Sequence, residues 1–120
     1  MHEFSIASGI LETVIEEAKK HNAEKVKKIF LETGKLSMLS SEQLAFALQI
    51  LSEGTMAEGA EIHIKVRPLV IKCERGHVNK VEAEGHSLYS MLQKLTCPDC
   101  GGEVNLIGGK ECMIKEINAE

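Results

Sequence analysis

The chain has 120 residues, with 14 Lys and Arg against 18 Asp and Glu and a formal net charge of −4; this fits one small acidic domain or two half-sized lobes and excludes a large multidomain enzyme. Hydrophobic residues make up 43% and charged residues 27%, a balance that supports folding and is unlike a disordered or fibrous chain. No basic cluster is present to follow a phosphate backbone, and no apolar run approaches the ~20 residues that cross a bilayer, so the expectation is a cytoplasmic protein with neither a nucleic-acid nor a membrane partner.

Along the chain, Ile6, Ala7, Ile10, Leu11, Val14 and Ala18 recur at spacings of three and four among Glu12, Glu16, Lys19 and Lys20, which predicts an amphipathic helix over residues 4–20 ending near His21-Asn22. Lys25 to Thr33 reads as a strand, with Ile29, Leu31 and Thr33 on one face and Val26, Lys28, Phe30 and Glu32 on the other, and Gly34 breaks it. Ser40-Ser41-Glu42-Gln43 then offers a capping serine ahead of Leu44, Ala47, Leu48 and Leu51, predicting a second helix to about Glu53. After a turn bracketed by Gly54 and Gly59, Ala60, Ile62, Ile64 and Val66 alternate with Glu61, His63, Lys65 and Arg67 as a strand.

Pro68 marks a boundary, since a proline cannot donate to a sheet ladder and constrains the residue before it. Residues 69–110 hold three of the four cysteines and two of the five histidines, and only short apolar runs such as Leu69-Val70-Ile71. Cys112, Met113, Ile114 and Ile117 read as a closing strand that returns to the first sheet. The expected architecture is therefore α+β: a lobe of residues 1–67 and 111–120, and an inserted lobe of residues 68–110. With aromatics at only 3% (Phe4, Phe30, Phe46 and Tyr89, no Trp), a lobe of about 40 residues needs a staple.

The cysteines provide one. Cys97-Pro98-Asp99-Cys100-Gly101-Gly102 sets two thiolates two residues apart beside glycines that let the backbone turn around a metal, a spacing suited to tetrahedral zinc. Two sulfurs are half a closed site. Cys73 lies 24 residues upstream in Cys73-Glu74-Arg75-Gly76-His77, so Cys73, His77, Cys97 and Cys100 make a four-ligand set, with His86 or Cys112 as alternatives to His77. The bland reading of Cys112 is a small buried apolar side chain. A redox dithiol is the rival for Cys97 and Cys100, but the strand-to-helix setting is missing and Gly101-Gly102 is a poor helix start.

Met1-His2-Glu3 is the second chemical feature. The Met1 α-amine, the deprotonated main-chain nitrogen of His2 and its Nδ1 can lie in one plane around one metal as fused five- and six-membered chelate rings, a geometry that selects divalent nickel or copper over zinc. One equatorial position stays open, for which His86 is a candidate, and an open position lets the metal pass to another protein. Glu3, next to this chelate, also favours the N-terminus of the following helix. His21 and His63 read as a helix-end residue and a solvent-facing strand residue. No His-Glu-x-x-His motif or nucleophile constellation is present, so no enzymatic activity is expected.

Taken together, Met1-His2-Glu3, Thr33-Gly34-Lys35-Leu36, Gly54-Thr55 with Ala57-Glu58-Gly59-Ala60, Cys97-Pro98-Asp99-Cys100-Gly101 and Ile114-Lys115-Glu116-Ile117 resemble the HypA family of hydrogenase maturation proteins, over nearly the whole chain and in the same order. The resemblance implies a small mixed sheet with two helices and an inserted zinc-ribbon lobe, and a nickel metallochaperone with Ni(II) bound transiently at His2 and Zn(II) held structurally. It implies delivery to the large subunit of [NiFe] hydrogenase, a GTPase partner (HypB) and pairing as a homodimer. Cys73, Cys97 and Cys100 match three family zinc ligands, whereas Gly76 stands where the family usually has a fourth cysteine. The alternative function is a zinc-ribbon module that binds a protein partner and leaves His2 without metal.

Overall fold

Helix α1 (His2–Lys20) forms where the three-and-four periodicity places it and buries Ala7, Ile10, Leu11, Val14 and Ala18 along one stripe. Glu3 in its first turn and Lys19 and Lys20 in its last complement the helix dipole. The helix stops because Asn22 takes a left-handed conformation (φ 59°), so that the Asn22 amide reaches the Lys19 carbonyl at 3.0 Å and the Ala23 amide the Ala18 carbonyl at 3.0 Å. That is the pairing of a Schellman cap, with Asn in the place glycine usually takes. The structure, a computed structural model, describes residues 2–37, 39–81, 95–109 and 111–120.

The remaining elements follow as β1 (Val26–Gly34), a 3₁₀ turn (Lys35–Ser37), α2 (Ser41–Ser52), β2 (Glu61–Arg67), β3 (Leu69–Cys73), β4 (Val78–Val81), β5 (Val104–Gly108) and β6 (Cys112–Ala119). Ser40 caps α2: its Oγ accepts from the Gln43 amide at 3.3 Å, satisfying one of the donors a helix start leaves without a partner. The chain divides into two compact units, residues 1–33, 39–66 and 112–120 in the first, and residues 34–38 and 67–111 in the second.

In the first unit the strand order is β2-β1-β6, and β6 runs antiparallel to β1 with Ile29 opposite Ile117, Leu31 opposite Ile114 and Thr33 opposite Cys112. The closing strand thus does return to the first sheet. The core joins the α1 stripe to Leu44, Ala47 and Leu48 of α2 and to Val26, Ile29 and Leu31 of β1, with Ile62, Ile64, Cys112, Ile114 and Ile117 packed against it. Strict alternation puts Val26 on the face opposite Ile29 and Leu31, yet it is fully buried with them. A register irregularity between Val26 and Lys28 accounts for this, because an extra residue in a strand moves the side chains beyond it to the other face.

The second unit is built on an antiparallel sheet of order β4-β3-β5, with β3 in the centre. Its described buried apolar side chains are Leu69, Ile71, Cys73 and Cys97, so among the described residues two aliphatic side chains and two thiols form the interior. Gly109 leaves β5 at φ 95°, where a Cβ would stand 3.0 Å from both the Leu69 Cα and the Pro68 carbonyl oxygen; only glycine fits this approach of two backbones. No described helix is long and apolar enough to cross a membrane.

Candidate metal centre

Two turns of the second unit carry the donors. The first is the hairpin turn between β3 and β4: the Cys73 amide donates to the His77 carbonyl at 3.1 Å and the Gly76 amide to the Cys73 carbonyl at 3.0 Å, with Gly76 left-handed at φ 89°. A three-residue connection ending in a left-handed glycine is a common way to close a hairpin, and it brings residues 73 and 77 side by side. The second turn precedes β5. The Gly101 amide donates to the Cys97 carbonyl at 2.7 Å and the Cys97 amide to the Gly102 carbonyl at 3.0 Å, with Gly101 left-handed at φ 71°. Asn79 Nδ2 of β4 donates to Asp99 Oδ2 at 3.2 Å and ties the two turns together.

The result is that Cys73, His77, Cys97 and Cys100 converge, their donor atoms all within 4.8 Å of one another. His77 Nδ1 lies 3.4 Å from Cys73 Sγ and 3.6 Å from Cys97 Sγ, and Cys100 Sγ lies 3.8 Å from Cys73 Sγ. A tetrahedral zinc with bonds of ~2.3 Å to sulfur and ~2.0–2.1 Å to nitrogen sets sulfur pairs ~3.8 Å and sulfur–nitrogen pairs ~3.6 Å apart. These three separations match three of the six edges of such a tetrahedron, and the donor set fits a zinc ion. Cys73 and Cys97 are buried while His77 and Cys100 are half-buried, as in a closed site near the surface.

Burial pushes the Cys73 thiol up, but the amides of His77 and Arg75 and the thiols of Cys100 and Cys97 donate to its sulfur and outweigh burial, lowering its pKa from the ordinary 9.0 to about 6. One ligand of the set is therefore a thiolate near neutral pH before any metal arrives. Cys100 moves the other way: the Gly102 amide favours its thiolate, but burial and the neighbouring Cys97 and Cys73 together raise its pKa.

The other candidates are placed as follows. Cys112 sits on β6, packed against the core of the first unit and outside the converging set, and burial raises its thiol pKa. The backbone of His2 opens α1, and Glu3 is half-buried in its first turn. Met1, the His2 side chain and His86 lie outside the described residues. Residues 98–100 turn directly into the approach to β5, so no helix follows Cys97-Pro98-Asp99-Cys100 in the manner of a redox dithiol. Sequence reasoning missed Asn79, whose amide has no motif signal of its own. Its placement opposite Asp99 becomes visible only once the hairpin register is known.

Fold and site define the class: a small two-unit α+β protein whose second unit is closed around three sulfurs and one imidazole nitrogen. Residues 1–119 match the family described as hydrogenase/urease nickel incorporation, metallochaperone, HypA. The chain is 42% identical over 121 aligned residues to the hydrogenase maturation factor HypA of Methanothermobacter thermautotrophicus, with 100% of this chain and 98% of that one covered. It is 40% identical over 128 aligned residues to the same factor of Methanosarcina acetivorans, with 100% and 96% covered. Among solved structures, a solution structure of HypA protein shares the fold with a TM-score of 0.72 at 22% identity, covering 100% of this chain and 97% of that one. The solution structure of the nickel metallochaperone HypA from Helicobacter pylori does so with a TM-score of 0.65 at 21% identity, covering 98% and 96%. The chain belongs to the HypA family.

Proposed function

We propose that this protein is a nickel metallochaperone that takes up Ni(II) at its N-terminus and delivers it for maturation of [NiFe] hydrogenase, with Zn(II) held structurally by Cys73, His77, Cys97 and Cys100. The two tasks divide between a nickel lobe of residues 1–67 and 111–120 and a zinc lobe of residues 68–110. Nickel is cargo: the Met1 amine, the His2 main-chain nitrogen and His2 Nδ1 hold it in a plane beside Glu3, and the remaining position allows transfer. The observation that carries the reading is His2 at the first position of α1, in a chain of this family. Amides of the first helical turn have no carbonyl partner within the helix, so the His2 nitrogen can be given up to a metal without breaking a helix hydrogen bond.

Bound zinc would act as a crosslink, adding folding free energy to a unit whose described apolar interior is small. The protein works without catalytic turnover, in the cytoplasm, with the HypB GTPase and the hydrogenase large subunit as partners and with self-association as a homodimer. Nickel titration of zinc-loaded, tag-free protein beside His2→Ala tests the reading. The expected result is stoichiometric nickel binding that His2→Ala abolishes. Equal binding by both proteins, or by neither, would overturn it and leave a zinc-ribbon module for protein contacts as the better account.

A further inference from the structure

β2 lies at one end of the first sheet, and among the described residues no strand pairs with its outer side. Such an edge presents a row of backbone donors and acceptors that another strand can take up, and proteins blunt it with prolines, bulges, lysines or charges pointing inward when pairing is unwanted. Residues 61–67 contain no proline and no inward charge, and Lys65 on the outward side is a charge that a pairing strand must accommodate. The side chains that share the core-facing side of β2 are Ile62, Ile64 and Val66, of which the first two are half-buried against the core and Val66 is 47% exposed. The opposite side carries Glu61, His63, Lys65 and Arg67. There His63 stacks on Phe30 at a ring separation of 4.8 Å, and Glu61 Oε2 lies 3.6 Å from Lys28 Nζ and 3.5 Å from His63 Nε2.

The two ends of this face, acidic at Glu61 and basic at Arg67, are complementary when the strand is reversed. We propose that β2 pairs antiparallel with β2 of a second copy about a two-fold axis at Ile64, joining two three-stranded sheets into one of six strands. Glu61 then stands opposite Arg67, Ile62 opposite Val66, His63 opposite Lys65 and Ile64 opposite itself, and symmetry makes each unlike pair occur twice. Parallel pairing in register would set Glu against Glu, Lys against Lys and Arg against Arg, which is destabilising. A half-step register with Glu61 opposite Val66 would set charged side chains against apolar ones. The Ile64 axis uses all seven residues of the strand, and Ile62, Ile64 and Val66 continue the apolar layer from one copy to the other. Arg67 also has an interaction within its own chain, which Glu61 of the second copy would join.

The pairing names the surface for the self-association in the proposed function and rests on that reading only to this extent, since nickel binding by a monomer is measured separately. Seven residues span only about 23 Å. The interface is therefore small, and the dimer should dissociate on dilution.

The test is sedimentation of full-length, zinc-loaded protein from about 1 μM to about 500 μM, a range that brackets dissociation constants typical of weak contacts. The wild type is expected to pass from monomer to dimer within it. Glu61→Arg and Arg67→Glu should each weaken dimerisation about tenfold or more, because two attractive pairs become repulsive. Their combination restores unlike pairs and should return the dissociation constant to within about threefold of wild type. Amide exchange in residues 61–67 should slow with concentration in the wild type and the double variant, and not in the single variants. A monomer at every concentration would overturn the proposal and leave the edge to a strand from another protein. Single variants that still dimerise, or a double variant that does not recover, would overturn it as well.

Discussion

Removing one ligand from the sulfur–nitrogen centre separates the two units energetically. The described interior of the second unit contains two buried aliphatic side chains, Leu69 and Ile71, both at most 1% exposed. Burying each is worth ~1.5–3 kcal/mol, so together they supply about 3–6 kcal/mol. A structural zinc contributes an apparent ~10–16 kcal/mol near neutral pH, well above that sum. The first unit buries the α1 stripe, Leu44, Ala47, Leu48, Val26, Ile29 and Leu31 without any metal. Strong chelation at neutral pH should therefore unfold residues 69–81 and 95–109 while α1, α2 and β1 keep their protection, as read by amide hydrogen exchange. His77→Ala leaves three sulfurs and should weaken zinc binding by about a hundredfold or more, since even loss of a group supporting a ligand costs 10–100-fold. His77→Cys supplies a fourth thiolate in the same turn and should recover zinc binding. Unchanged exchange in residues 69–81 after chelation would refute the argument, because the sheet would then be holding itself together. Equal zinc affinity in His77→Ala and wild type would remove His77 from the centre.

Two further outcomes follow from the same unit. Gly109→Ala should destabilise the β3–β5 pair by roughly 1–3 kcal/mol, because a Cβ at φ 95° meets the Leu69 Cα and the Pro68 carbonyl at 3.0 Å; thermal unfolding of the zinc-loaded protein measures this, and an unchanged midpoint would count against the close approach. In the metal-free protein, Cys73 has a folded pKa of about 6 against an ordinary 9.0, so the unfolded state binds the extra proton between these values. Its stabilising contribution is full above about pH 9, shrinks as the pH falls and is gone below about pH 6. The raised Cys100 pKa acts with the opposite sign and takes effect at and above the ordinary thiol value. Any protection that residues 69–81 keep after chelation, measured against intrinsic amide exchange, should accordingly be lower at about pH 6 than at about pH 8, and the reverse order would show that Cys73 is not held as a thiolate.

The two helices, the alternating strand β2 and the closing strand were legible because each presents one buried face, and a buried face leaves its period in the sequence. Alternation failed at Val26 because a local irregularity in pairing leaves no mark in residue type. The second unit was legible as a cysteine-bearing insertion but not as a sheet. Its strands are four or five residues long, and their order follows from the hairpin and the ligand turns rather than from an apolar stripe. Cys97 and Cys100 could be read as a pair from spacing alone. Asn79 could not, since its partner Asp99 lies 20 residues away and the link depends on tertiary register.

The fourth donor shows how turn geometry, more than residue count, sets which position faces a metal. In the second turn the left-handed residue is Gly101, four places after Cys97, and the donor Cys100 comes just before it. In the first turn the left-handed residue is Gly76, three places after Cys73, and the donor His77 comes just after it. Moving the left-handed glycine one residue toward the N-terminus closes the turn sooner, so residue 77 is already in the β4 partner position and its side chain lies beside Cys73. An imidazole reaches the cluster from there through Nδ1, at 3.4 Å and 3.6 Å from two sulfurs. Position 76 has no steric obstacle to a side chain, as nothing lies within 4 Å of its Cβ direction, but its φ of 89° is one that side-chain-bearing residues rarely adopt. A cysteine at 76 would favour a different turn, with the left-handed residue after it as in the second one. Glycine at 76 and histidine at 77 thus act together: the backbone that admits the first is the backbone that brings the second to the sulfurs.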